Sequence, residues 1–181
     1  MESNKILIIG PPECGKSTLI EKLIDYYTDR GISVEGFMTP EIREKKKRVG
    51  FYVELIPSKM RFKLARIGDY NQPHRIGKYS VFIDDFNRAL KMLGNLNKKK
   101  ANIVLIDEIG KMELFSIRFQ EYVETLFQSE RNVIATIGKN FNHPIKNYLL
   151  TLREVVLFEL SHNTFHNISN KIILKVPNNN N

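Results

Sequence analysis

The chain has 181 residues, a formal net charge of +8, 42% hydrophobic and 27% charged residues, and a single cysteine. Those values suit one globular domain with a buried core. They exclude an intrachain disulfide framework, lend no support to structural zinc, and argue against disorder outside the ends. With no apolar run of about 18 residues and no basic-then-apolar leader, neither a membrane span nor export is expected, and a cytoplasmic monomer is. The domain should cover residues 1–176, leaving a frayed polar tail at 177–181. The positive charge permits nucleic acid as a partner without indicating it. Lys45 to Arg48, Arg61 to Arg66 and Lys98 to Lys100 are scattered, without interleaved aromatics, and a solvated lysine-rich surface is the better reading.

Lys5 to Ile9 is a short apolar run that reads as a strand, and Leu19, Ile20, Leu23, Ile24 and Tyr27 recur at helical spacing after it. Between them stands Gly10-Pro11-Pro12-Glu13-Cys14-Gly15-Lys16-Ser17, followed by Thr18. A loop of inward-facing amides at a helix N-terminus offers donors and a positive dipole end to a chain of phosphate oxygens. Lys16 would reach the β and γ phosphates, and the Ser17 hydroxyl would be one ligand of Mg²⁺. The whole stretch from Gly10 to Thr18 is therefore the expected nucleotide cradle. Cys14, among amides and beside Lys16, is expected to be readily alkylated.

Gly31 stops the helix, and Ser33 to Thr39 reads as a second strand. Polar Glu44 to Lys47 separates Glu41-Ile42-Arg43 from the aromatic and β-branched run Arg48 to Ile56, which predicts a hairpin. Arg61 to Ile67 alternates as a further strand. With no helices between them, these strands should extend the sheet in antiparallel fashion. Gly68 to Gly77 reads as a mobile loop near the nucleotide or at a sheet edge, and Tyr79 to Phe82 re-enters the fold. Asp84 or Asp85 can cap a helix with Phe86, Ala89, Leu90 and Leu93 on one face, ended by Gly94-Asn95.

Asn102 to Asp107 has the composition of a buried parallel strand and ends in Asp107-Glu108. Carboxylates at the carboxyl end of such a strand lie on the ligand side of a doubly wound sheet. Asp107 would hold the metal, directly or through water, and Glu108 would polarise the attacking water as general base. Glu113 can either favour the start of the following helix or order that water. Ser116 should start this helix, with Phe119, Val123, Leu126 and Phe127 on one face. Asn132 to Ile137 is another buried strand, and Thr136 either senses the γ phosphate or merely favours β structure. Pro144 to Arg153 reads as a helix, Val155 to Leu160 as the last strand, and Asn163 as the start of a final helix. Arg43 and Arg48 are candidates for the cation that meets charge on the leaving diphosphate, a surface position being as good a reading for each.

These motifs, with Asp107-Glu108-Ile109-Gly110-Lys111-Met112-Glu113-Leu114 the most specific, resemble the small P-loop nucleoside-triphosphatase family that includes the thermophile enzymes and the vertebrate cancer-related nucleoside-triphosphatase. The resemblance spans residues 5 to 165. It implies a RecA-like α/β fold, with a mostly parallel sheet of about nine strands, an antiparallel hairpin extension and helices on both faces. It also implies slow Mg²⁺-dependent hydrolysis of ATP, GTP and other triphosphates. A P-loop kinase acting on a small molecule or RNA end, and a nucleic-acid-stimulated ATPase, are the alternatives. Similar proteins usually carry glycine and a small residue where Glu13-Cys14 stands, and a Gly-Gly turn where Lys46-Lys47 stands. Glu13 would weaken phosphate binding if it pointed inward.

Overall fold

A computed structural model describes residues 4–96 and 101–176; the expected tail at 177–181 and the lysine run at 98–100 lie outside the described residues. In chain order the strands are β1 (Lys5–Gly10), β2 (Val34–Met38), β3 (Glu41–Glu44), β4 (Lys47–Ile56), β5 (Arg61–Ile67), β6 (His74–Ile76), β7 (Tyr79–Val81), β8 (Ile103–Ile109), β9 (Asn132–Gly138) and β10 (Val155–Glu159). The helices are α1 (Lys16–Thr28), α2 (Ile83–Leu96), α3 (Ile117–Gln128), α4 (Pro144–Thr151) and α5 (Phe165–Lys175). Among the described residues no helix is long and apolar enough to cross a membrane.

One sheet runs in the order β10-β1-β9-β8-β2-β4-β5-β7-β6, with β3 added beside β4. The strands from β10 to β2 are parallel, and every pairing from β2–β4 outward is antiparallel. A strand, β9, thus separates the P-loop strand β1 from the acid-bearing strand β8, which is the RecA-like arrangement. Strand alternation divides the core in two. Ile6 and Ile8 face α1 and α5, packing with Leu19, Ile20, Leu23, Ile168 and Ile172. Leu7 faces α2, α3 and α4, packing with Phe86, Phe119, Val123, Ile145 and Leu149. Burying each such side chain is worth about 1.5–3 kcal/mol.

The antiparallel half is larger than a hairpin. His74–Ile76, inside the segment read as a mobile loop, pairs with Tyr79–Val81 around Gly77 at φ 54 and forms the sheet edge, which brings the strand total among the described residues to ten rather than nine. The β3–β4 turn centres on Lys45 and Lys46, one residue earlier than expected, and both take left-handed φ values of 46° and 66°. That geometry matches the twist of the flanking strands, which is why glycines suit it. Helix α2 begins at Ile83, so Asp84 and Asp85 occupy its first turn instead of capping it. It also continues through Gly94 to Leu96. Ser116 caps α3 as expected, its Oγ accepting from the Phe119 N–H at 3.1 Å. A short 3-10 turn, His162–Thr164, precedes the last helix, which begins at Phe165 instead of Asn163.

Candidate active site

The carboxyl ends of β1, β8, β2 and β9 open into a cleft of about 620 Å³. One wall is the loop before α1 with the first turn of that helix, lined by Pro12, Glu13, Gly15, Lys16, Ser17 and Thr18. Gly15 caps α1 in a left-handed conformation, φ 96, which aims the first amides of the helix at the cleft. Lys16 is 8% exposed, and its ammonium donates to the carbonyls of Gly10 (3.2 Å) and Pro11 (3.0 Å) and stands 3.8 Å from Glu108 Oε2. Gly10 and Pro11 thus act from behind the wall.

Cys14 turns the other way. Its thiol is 3% exposed, packed in the α1/α5 core, where a Cβ on Gly10 would lie 2.5 Å from Cys14 Sγ. The expected reactive thiol is therefore corrected to a buried one, since reaction needs access. Glu13 is exposed at φ 63, a left-handed residue where glycine carries no Cβ penalty.

The cleft floor is made by β8. Its pairing with β9 runs Ile106 to Ala135 and resumes at Ile109 to Ile137, so Asp107 and Glu108 together oppose Thr136 alone. Successive residues of a regular strand point to opposite faces; this bulge lets both carboxylates reach the cleft. Thr136 Oγ1 donates to Asp107 Oδ1 at 2.6 Å, and the nearby Ser17 hydroxyl favours the charged form of this carboxyl group. Thr39, at the end of β2, donates to the Asp107 carbonyl at 3.0 Å. Burial pushes the Asp107 carboxyl above its ordinary range, against the pull of Ser17, Thr136 and Lys16. Burial raises Glu108 too, with Lys16 opposing and Asp107 adding. Glu113, 4% exposed, lies at the same floor, and burial followed by the repulsion of Glu108 pushes it up to about 8.

The opposite wall is the antiparallel ribbon. Glu41, Arg48 and Phe51 line it, beside Ile76. Arg48 donates through Nε to the Tyr79 hydroxyl at 3.2 Å and through Nη1 to Glu41 at 3.0 Å. Arg43 does not line the cleft; 60% exposed, it pairs with Glu41 at 2.6 Å and donates to the Lys46 carbonyl at 3.1 Å. The last wall is the loop 138–141 after β9. Lys146, buried on α4, donates its ammonium to the carbonyls of Gly138 (3.0 Å), Lys139 (2.7 Å) and Phe141 (3.1 Å), fixing that loop.

Sequence reasoning missed Thr39, Glu41, Lys111, Lys139 and Phe141 as cleft residues. For Thr39 a signal existed, because the end of any strand parallel to β8 reaches the same rim. The donor set suits Mg²⁺. A serine hydroxyl and a buried carboxylate held by the Thr136 hydroxyl are hard oxygen ligands, and such sites supply one or two protein ligands while substrate and water complete the shell.

The sequence matches the NTPase family over residues 5–173. It is 39% identical to the nucleoside-triphosphatase THEP1 of Thermotoga maritima over 170 residues, 93% of each chain. It is 38% identical to the mouse cancer-related nucleoside-triphosphatase homolog over 144 residues, 75% of this chain and 72% of that one. Among solved structures, THEP1 from Aquifex aeolicus superposes with a TM-score of 0.83 at 28% identity, covering 96% of this chain and 99% of the other. A human cancer-related nucleoside triphosphatase gives 0.82 at 27% identity, covering 99% and 100%. Nearly the whole chain is shared, from the P-loop strand through the last helix, and the protein belongs to this NTPase family.

Proposed function

We propose that this protein hydrolyses nucleoside triphosphates, ATP and GTP among them, to the diphosphate and phosphate with Mg²⁺. The reading rests on one observation: Lys16, Ser17, Asp107 and Glu108 converge on one cleft, with Lys16 placed 3.8 Å from Glu108. The α1 amides and Lys16 would hold the triphosphate, Lys16 exchanging a carbonyl contact for a phosphate oxygen. Ser17 and Asp107 would hold Mg²⁺, which supplies charge neutralisation on the phosphate oxygens when bound. Thr136 and Thr39 keep Asp107 aimed from its two ends.

Glu108 would accept a proton from water as the water oxygen bonds to the γ phosphorus. The bond between that phosphorus and the β,γ-bridging oxygen breaks, and its electron pair leaves with the nucleoside diphosphate. The proton held by Glu108 then passes to phosphate or solvent. Arg48, on the ribbon wall, is the cation suited to the growing charge on the diphosphate; the position of Arg43 outside the cleft argues against it for that role.

The test is phosphate release from a panel of triphosphates with Mg²⁺. The parent should turn over several bases, EDTA should abolish turnover, and Lys16→Ala and Glu108→Gln should lose it. Glu108→Gln hydrolysing at the parent rate would remove the base assignment.

A further inference from the structure

Glu113 is the buried carboxyl group of the cleft that the mechanism above leaves idle. A short turn, Glu113–Phe115, follows Gly110 and is tied at both ends: the Leu114 N–H donates to the Gly110 carbonyl at 3.0 Å, and the Ser116 N–H to the Glu113 carbonyl at 3.0 Å. Ser116 in turn caps α3 and donates to Asn87 Oδ1 of α2 at 2.5 Å. The Glu113 side chain is thus set by a frame and is 4% exposed, inside the lining of the cleft.

Gly110 shows what this carboxyl group faces. A Cβ there would lie 2.5 Å from Glu113 Oε2 and 3.0 Å from Glu108 Oε1, so both acid groups lie against the same point of backbone. The other Glu108 oxygen is the one held toward Lys16, at 3.8 Å. One Glu108 oxygen thus stands near an ammonium, and the other lies near the backbone point that the Glu113 carboxyl group also approaches.

We infer that Glu113 is a positioning residue for hydrolysis, its side chain closing over Gly110 against Glu108 and setting where the Glu108 carboxylate points. The inference rests on the assignment of Glu108 as the base. Two carboxylates facing one point of backbone repel, and a Glu113 that carries a proton relieves that repulsion on the side of Glu108 away from Lys16. A neutral carboxyl can hand Glu108 a hydrogen bond and fix its rotamer without neutralising it. An amide of the same shape can do the same.

The experiment compares kcat, KM and nucleotide affinity of the parent with Glu113→Ala, Glu113→Gln, Glu108→Gln and the double variant Glu108→Gln/Glu113→Ala. Glu113→Ala should lower kcat about 10- to 100-fold, the loss expected of a misaimed catalytic group, with KM and nucleotide affinity within about twofold. Glu113→Gln should recover kcat to within about threefold of the parent, and the double variant should be no slower than Glu108→Gln alone. If Glu113→Ala does not fold, Glu113→Asp takes its place, since its shorter side chain stops short of Glu108 and should be slow. A parent-like kcat in Glu113→Ala, a rise in KM at constant kcat, a Gln variant as slow as Ala, or losses that multiply in the double variant would each overturn the inference. A Glu108→Gln enzyme as fast as the parent removes the base assignment itself; an inactive Glu108→Gln beside an unimpaired Glu113→Ala removes only the role of Glu113.

Discussion

Both ends of the parallel strands bury charge, and they treat it differently. At the amino end, Glu35 of β2, 1% exposed, pairs directly with Arg131, and Lys5 donates to the carbonyls of Ser129 and Arg131. Each cation there has a protein partner in contact. At the carboxyl end, three carboxyl groups, Asp107, Glu108 and Glu113, line the cleft with the buried Lys16 ammonium, which stands 3.8 Å from Glu108. The first arrangement commits its cations to protein partners and holds the strands in place, although Glu35 Oε2 and Arg131 Nε are left without a hydrogen-bond partner. At the second, the carboxyl groups outnumber the one buried ammonium beside them and donors are aimed at a cavity, so it gains by binding a metal ion and a polyanion together.

The largest effect should come from breaking each end in turn. Glu108→Gln should cost at least about 100-fold in kcat with little change in thermal stability. Arg131→Ala should do the reverse, losing about 3 kcal/mol of stability by stranding the Glu35 carboxylate while the folded protein keeps its kcat. Thermal melts read beside phosphate release distinguish the two; an Arg131→Ala enzyme that is stable and slow would end the contrast.

On the ribbon wall, Arg48→Ala should lower kcat about tenfold or more at saturating nucleotide, and Arg43→Ala less than about twofold. Equal losses would mean that Glu41, which binds both arginines, matters more than the placement of either.

A pH prediction isolates Glu113. Folded, its carboxyl is raised to about 8 by burial and by Glu108, whereas in the unfolded chain it ionises near 4.5. Between those values the folded protein binds the extra proton, so this group makes stability fall as pH rises from about 4.5 toward 8. Glu113→Gln carries no such proton, and its gain in melting temperature over the parent should grow across that window. A gain that stays constant with pH would count against a protonated Glu113. The smallest effect is at Glu13: glycine there should relieve a left-handed side chain and remove an anion from the cradle, tightening nucleotide binding a few-fold in equilibrium titrations.

The phosphate loop, the acid pair and the cap at Ser116 were legible because each depends on residues adjacent in sequence. The surroundings of Thr136, Glu113 and Cys14 were not. Thr136 contacts Asp107 only because the β8–β9 register slips between Ile106 and Ile109, a long-range fact. Glu113 depends on the turn after Gly110 folding back beneath Glu108. Cys14 has the local setting of a reactive thiol, yet the space beside Gly10 draws its sulfur into the core. Arg43 and Arg48 pair across β3 and β4, so sequence offers no asymmetry between them; the cleft does.

The Lys146 clamp has a thermodynamic consequence for the cleft as a whole. Three carbonyls of the loop 138–141 are already tied to one buried ammonium, so that wall has little conformational entropy left to lose. The ribbon opposite, whose tip at Lys45 and Lys46 is exposed and held by surface ion pairs, retains most of it. The ordering cost of nucleotide binding therefore falls on the ribbon, and amide exchange should slow there on binding while the loop after β9 stays as protected as before.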